Sequence, residues 1–333
     1  MSVNVAIVGA TGAVGQEFLS VLAERDFPIK TIKFLASARS AGKTIEFKGK
    51  SYTVEELTKD SFKGIQIAFF SAGGSVSKEF APAAVQAGAV VVDNTSAFRM
   101  KEGVPLVVPE VNPDQIHKHN GLIANPNCST IIMNVPVWPL HKANRVKRVV
   151  VSTYQAVSGA GAWGLYELEK QQRDFAAGNP IAKEKFPHQI FNNLFSHNTK
   201  VADNGYNEEE NKMVNETRKI FGDPKIMITA TCIRVPIPRA HSESINLEFE
   251  RPITPQQVRE ILSKAPGVKI VDDAEKNHFP MPLEASGQDD VFVGRIRQDV
   301  SRDDGRGIDL FVSGDQVRKG AATNAVQIAE KLV

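Results

Sequence analysis

Cys128 is one of only two cysteines in this chain, and it stands in a polar turn, Asn125-Pro126-Asn127-Cys128-Ser129-Thr130, directly ahead of the apolar run Ile131-Ile132-Met133. A packing cysteine prefers an apolar interior. At the start of a helix, by contrast, backbone N–H groups point outward and favour a thiolate, which is a ready nucleophile. The histidine best placed to serve it is His241, in Arg234-Val235-Pro236-Ile237-Pro238-Arg239-Ala240-His241. Two prolines there impose an extended, rigid approach, and an alternating run follows. Histidine moves protons near neutral pH, although the same residue also reads as an exposed loop histidine. Arg234 closes the preceding apolar run. Gln155, in Tyr154-Gln155-Ala156-Val157-Ser158-Gly159-Ala160-Gly161, can orient a carbonyl without changing charge, and Ser158 and Gly159 can reach a cofactor ring; a plain glycine-rich turn is the other reading. His117, His119, His188 and His197 lie in polar, loop-like stretches and read as solvated.

These residues need a scaffold, and the first third of the chain supplies a recognisable one. Val3–Val8 reads as a buried strand, followed at once by Gly9-Ala10-Thr11-Gly12-Ala13-Val14-Gly15 and a helix over 15–25. Glycines at that spacing permit a tight turn and let the backbone approach a pyrophosphate resting on the helix N-terminus. Strands over 31–36, 65–70 and 90–93, with a helix over 77–87, continue a βαβ rhythm that predicts a parallel, doubly wound sheet. The second strand ends in Ala36-Ser37-Ala38-Arg39-Ser40 with no carboxylate. An acidic residue there would hold a ribose 2′-hydroxyl, whereas Arg39 and Ser40 suit a 2′-phosphate; a solvated loop charge is the other reading of Arg39. NADP(H) is therefore the expected cofactor, with Ser71 and Gly73 closing a later strand at the same sheet edge. Asp93-Asn94-Thr95-Ser96-Ala97-Phe98-Arg99 ends another strand and brings Asn94 and Arg99 to that edge. A nucleophilic cysteine joined to a nucleotide fold points to an oxidoreductase acting on an aldehyde or an acyl phosphate.

Beyond about residue 130 the pattern changes. Strand-like runs at 148–156, 225–234, 242–249, 292–298 and 307–312 predict a mixed, mostly antiparallel sheet in a second α+β domain. Short strands are also expected at Leu106–Val108 and Leu122–Ala124, a long loop around 178–204, and a final amphipathic helix over 321–332. Glu208-Glu209-Glu210-Asn211-Lys212 opens a helix and, by composition, reads as a solvated capping segment. The formal net charge is +2 with basic residues scattered, which disfavours nucleic acid. No apolar run approaches the roughly 20 residues that span a bilayer. The opening strand is not a signal peptide. Two cysteines cannot make a disulfide framework and, with seven histidines lacking ligand spacing, argue against a metal site. A cytoplasmic location is expected.

In six motifs spread over its whole length the chain resembles the aspartate-semialdehyde dehydrogenases: GATGAVG at 9–15, SARSAGK at 37–43, DNTSAFR at 93–99, NPNCST at 125–130, YQAVSGAG at 154–161 and RVPIPRAH at 234–241. The resemblance implies NADPH-dependent conversion of aspartyl phosphate to aspartate semialdehyde, on the route to lysine, methionine and threonine. It implies Cys128 as nucleophile, His241 as acid/base and Gln155 as the residue orienting the acyl group. Arg234 becomes the anchor of the substrate carboxylate and Glu209 the partner of its amino group, within a glutamate run whose register the sequence leaves open. Arg99 and Lys212, with Asn94 beside them, become phosphate binders. Gly9, Thr11, Gly12, Ala13, Val14, Arg39, Ser40, Ser158, Gly159 and Gln316 become cofactor contacts. It further implies a homodimer built through the second domain, with a nucleotide domain of residues 1–127 plus 314–333 and a catalytic domain of 128–313. The nearest alternative is an N-acetyl-γ-glutamyl-phosphate reductase, with shared fold and chemistry. A non-catalytic NADP-binding relative is a third reading.

Overall fold

Val3–Val8 (β1) is apolar almost throughout, as a strand covered on both faces must be. In the computed structural model, which describes residues 2–333, it lies inside a fully parallel sheet. Along the chain follow Ala13–Glu24 (α1), Ile29–Ala36 (β2), a hairpin of Thr44–Phe47 (β3) and Lys50–Thr53 (β4), Glu55–Glu56 (β5), Ile67–Phe70 (β6), Gly74–Gln86 (α2), Val90–Asp93 (β7) and Leu122–Ala124 (β8). The sheet order is β5-β2-β1-β6-β7-β8. Successive connections thus run outward in opposite directions from β1 and β6, and ligands bind at such a switch point. Val5 and Ile7 point into one core with Phe18 and Leu22 of α1, while Ala6 and Val8 point into the other with Ala81 and Ala84 of α2.

The chain forms two compact units, Met1–Asn127 with Ala321–Val333, and Cys128–Gly320. The second contains Cys128–Ala143 (α3), Val146–Gln155 (β9), Ala162–Ala176 (α4), Phe195–Ser196 (β10), Glu208–Phe221 (α5), Met227–Arg234 (β11), His241–Phe249 (β12), Pro255–Leu262 (α6), Val268–Ile270 (β13), Pro282–Ala285 (α7), Val291–Gln298 (β14) and Gly307–Gly314 (β15). Its sheet runs β10-β11-β9-β12-β15-β14-β13. Only β11/β9 and β13/β14 are parallel pairs, so the sheet is mixed and mostly antiparallel. The register sets Arg234 opposite Gln155 and Ser242 opposite Tyr154. Arg234, Gln155 and His241 therefore form one row across a single face, and Cys232, Thr153 and Glu243 form the row beneath it. The chain then returns to the first unit in Thr323–Glu330 (α8), packed on α1.

Beyond shifts of a few residues at several element ends, three features depart from the sequence reading. Leu106–Val108 makes only an isolated bridge, from Leu106 to Ala124, because Pro105 and Pro109 bracket it and lack ladder donors. The last helix starts through a π turn at Arg318–Ala322 before α8. The return to the first unit comes at Ala321 rather than Gly314. Residues 315–320 stay with the second unit because Asp315 Oδ2 accepts from Arg239 Nε at 2.6 Å and from the Gly287 N–H at 2.7 Å.

Candidate active site

Cys128 is the first residue of α3 and is partly exposed, so the helix presents its sulfur at an N-terminus, where backbone N–H groups favour negative charge. Its Sγ lies 3.5 Å from His241 Nε2. The other ring nitrogen, Nδ1, accepts the Ala156 N–H at 3.0 Å. A backbone amide can only donate, so the neutral ring carries its proton on Nε2, facing the sulfur. Burial, and after it the charge of Arg234, hold His241 well below the ordinary histidine range. The resting site thus offers the sulfur a hydrogen-bond donor. The turn delivering His241 is strained: Ala240 sits at φ +67°, a region costly for a residue with a Cβ. Gln316 Oε1 holds it by accepting the Ala240 N–H at 2.9 Å, and Gln316 Nε2 donates to the Ser158 hydroxyl. Gly320 is required here, since a Cβ would lie 2.8 Å from Cys128 Cβ.

Gln155 is buried and donates through Nε2 to Ser129 Oγ at 2.9 Å. Arg234 is 2% exposed; its Nη1 donates to Ala156 O and its Nη2 to His197 Nε2, both at 2.7 Å. The Phe186 ring lies 6.0 Å from the guanidinium carbon, and Nε–H has no hydrogen-bond partner among the described residues. The run of three glutamates resolves cleanly. Glu208 faces solvent. Glu210 closes a capping box with Asn207 and accepts the Cys232 N–H. Glu209 alone turns toward the row, with Oε1 3.5 Å from Gln155 Nε2 and Oε2 3.3 Å from Lys212 Nζ. Gly159 lies flush with these groups: a Cβ there would sit 3.0 Å from Arg234 Nη1 and 3.1 Å from His241 Cε1.

In the first unit the glycine turn is built for close backbone approach. Gly9 has φ +86°, and a Cβ would reach Ser71 O at 2.5 Å; one on Gly15 would strike Gly9 O at 2.3 Å. Gly12 is the N-cap of helix α1 and offers no side-chain cap, leaving the amides of Ala13 and Val14 beside the exposed Thr11 for a bound anion. Gly73, at φ +94°, has open space where its Cβ would stand. Arg39 is exposed just past β2, with Ser40 half-buried beside it. These residues fit a dinucleotide whose pyrophosphate rests on the α1 N-terminus. Asn94 follows β7, and neither its Oδ1 nor its Nδ2 has a hydrogen-bond partner among the described residues. Arg99 donates to the carbonyls of Asn94 and Asn125. Among the described residues no three metal-ligating side chains converge.

Residues 4–119 match the semialdehyde dehydrogenase NAD-binding domain, and residues 137–319 match the semialdehyde dehydrogenase dimerisation domain. An aspartate-semialdehyde dehydrogenase of Synechocystis sp. is 55% identical over 99% of this chain and 97% of its own. That of Aquifex aeolicus is 54% identical over 100% and 98%. The chain belongs to the aspartate-semialdehyde dehydrogenase family. The crystal structure of Vibrio cholerae aspartate semialdehyde dehydrogenase II complexed with ASA superposes with a TM-score of 0.96 at 47% identity, covering 100% of this chain and 98% of the other. The chain is accordingly an oxidoreductase that binds a nicotinamide dinucleotide.

Two residues stand out, one half-buried and one fully buried, that the sequence alone did not mark. His197 is no solvated loop residue; it lies on the Arg234 guanidinium, and burial holds its pKa down to about 4. Glu243 is fully buried, neither carboxyl oxygen has a hydrogen-bond partner among the described residues, and burial raises its pKa well above the ordinary range. A group kept protonated in the fold but ionised in the unfolded chain makes the folded state bind more protons, so stability falls as pH rises above the unfolded glutamate value of about 4.3. Glu243→Leu should therefore stabilise the protein by about 1–3 kcal/mol near neutral pH, with a smaller gain in acid. Urea titrations at matched protein concentration check this; a difference that does not change with pH counts against a buried neutral carboxyl.

Proposed function

We propose that the enzyme catalyses the reversible, NADPH-dependent reductive dephosphorylation of L-aspartyl 4-phosphate to L-aspartate 4-semialdehyde through a cysteine thioester. The observation that carries the reading is the sulfur of Cys128 at a helix N-terminus, 3.5 Å from the protonated nitrogen of a neutral His241. Cys128 thiolate attacks the acyl carbon; the C–S bond forms, the bond from carbon to the phosphate oxygen breaks, and phosphate leaves with that electron pair. Lys212 and Arg99 are assigned to the departing dianion, with Asn94 beside Arg99. Gln155 orients the acyl oxygen. When bound, NADPH supplies the hydride that reduces the thioester carbonyl. Cleavage of the C–S bond then returns the electron pair to sulfur, and His241 Nε2–H stabilises the thiolate as it reappears. The cycle starts and ends on a thiolate, so His241 holds a proton at Nε2 throughout. Arg234 anchors the substrate α-carboxylate, a role suited to a planar fork, and Glu209 pairs with the α-ammonium.

Arg39 and Ser40 would receive the 2′-phosphate, with Gly9, Thr11, Gly12, Ala13, Val14, Ser71 and Gly73 at the pyrophosphate side and Ser158, Gly159 and Gln316 toward the nicotinamide. Arg39→Ala should raise the KM for NADPH about 10-fold and leave that for NADH unchanged; equal loss for both cofactors would remove Arg39 from that role. We assign the enzyme to a cytoplasmic route to lysine, methionine and threonine, working as a homodimer. The deciding assay is phosphate-dependent NADP⁺ reduction with L-aspartate semialdehyde and N-acetyl-glutamate semialdehyde compared side by side. Selective turnover of the first is expected, because Glu209 has no ammonium to meet in an acetylated substrate. Turnover of only the second would move the protein to the sister activity, and turnover of neither would make it a non-catalytic NADP-binding relative.

A further inference from the structure

Arg234 is surrounded by acceptors, and those that bind it directly are uncharged. Nη1 donates to the Ala156 carbonyl and Nη2 to His197 Nε2, each at 2.7 Å, while the Phe186 ring lies at 6.0 Å. Guanidinium has donors only, so His197 Nε2 must accept, and the neutral ring carries its proton on Nδ1. That nitrogen lies 3.2 Å from Thr199 Oγ1, which also accepts the Glu209 N–H at 3.3 Å. The imidazole is fixed in turn by its own backbone, whose N–H donates to Cys232 O at 2.8 Å and extends the β10–β11 pairing. Glu209, the carboxylate of the site, is engaged by Lys212 and Gln155.

We infer that His197 is a positioning residue for substrate recognition: a neutral acceptor that fixes the Arg234 fork in place while leaving its positive charge whole for the incoming carboxylate. The inference rests on the reading of Arg234 as the carboxylate anchor. A carboxylate at position 197 would hold the fork equally well in geometry but would neutralise it and repel the substrate. A side chain without an acceptor would leave the fork free to turn. Burial keeps His197 uncharged; Glu209 pulls the other way, Arg234 and Lys212 oppose it, and the net shift is downward, which maintains the acceptor state near neutral pH.

The test uses the full-length enzyme with His197→Ala, His197→Gln and His197→Glu, the last two nearly equal in shape and different in charge. His197→Ala should raise the KM for aspartate semialdehyde on the order of 10-fold, the weight of one charge-assisted hydrogen bond, with kcat, the KM for phosphate and the KM for NADP⁺ little changed. His197→Gln should recover most of the loss, since its amide oxygen can accept from Nη2. His197→Glu should be worse than His197→Ala. Equal performance of the Gln and Glu variants, or a parallel rise in all three KM values, would overturn the inference by marking a general packing role. Arg234→Ala, run alongside, separates the two layers. If it leaves the aldehyde KM unchanged, the anchor reading itself fails; if it raises that KM while His197→Ala does not, only the inference about His197 fails.

Discussion

Cys128→Ala should lower turnover of aspartate semialdehyde by roughly four orders of magnitude or more, the scale seen when a covalent nucleophile is removed, while NADPH binding is retained. Cys128→Ser should be nearly as inactive, and the reason lies in the tautomer of His241. The Ala156 N–H occupies Nδ1, so the ring presents Nε2–H to position 128 and has no free lone pair there to take a proton. A sulfur at a helix N-terminus can lie in the thiolate form without a base; a serine hydroxyl cannot ionise without one. Cys232 cannot substitute, being fully buried with its thiol pushed up by that burial. Native-state alkylation should accordingly modify one thiol, Cys128, in step with loss of activity. A serine variant within tenfold of wild type would show that His241 does act as a base on residue 128, and that the Ala156 contact is not maintained in the working enzyme.

The parts of the molecule that could be read from sequence are those where short-range chemistry and tertiary structure agree. Val5–Val8 and Val90–Val92 are continuous apolar runs, as strands of a doubly covered parallel sheet tend to be; the glycines after β1 are forced by contacts such as that of Gly9 with Ser71 O. Arg234, Gln155 and His241 each sit beside a strand end with an unusual neighbour, a proline pair or a glycine turn, and strand register brings them into one row. What escaped notice depends on register and burial that no local pattern carries. His197 sits in a polar stretch where Phe195–Ser196 is a two-residue strand, too short for alternation to show. Glu243 shares its strand face with Ile245, Leu247 and Phe249 and is buried with them, so alternation points it inward; its being a carboxylate is what hid it, and its lack of a partner among the described residues is set by the packing around that row. The three glutamates at 208–210 diverge only because Asn207 caps the helix and sets its phase. That cap was legible as Asn-x-x-Glu and could have fixed the register of Glu209 in advance.

Arg234→Lys is expected to behave as a severe substitution, lowering kcat/KM for aspartate semialdehyde by about 100-fold or more. Arg234 spends Nη1 on Ala156 O and Nη2 on His197 Nε2 while keeping Nε–H, buried and without a partner among the described residues, for a ligand. One planar group thus meets two fixed acceptors and still presents a directed donor edge. An ammonium radiates three donors from one point and cannot reach both acceptors and a carboxylate from a single position. Burial adds to the cost, since a misplaced charge there is poorly solvated. Removing the charge altogether gives a second, independent reading. After burial, Arg234 is the next cause of the low basicity of His241, so in Arg234→Met the folded His241 pKa rises toward the ordinary range of about 6.5. Protonation would place a hydrogen on Nδ1 against the Ala156 N–H and disrupt the alignment of Nε2 with the sulfur. The acid limb of the kcat profile of Arg234→Met should therefore shift upward, whereas that of Arg234→Lys, which keeps the charge, should stay near wild type. Coincident acid limbs in all three proteins would mean that Arg234 does not sense or tune His241, and near-normal kcat/KM in Arg234→Lys would withdraw the bidentate anchor.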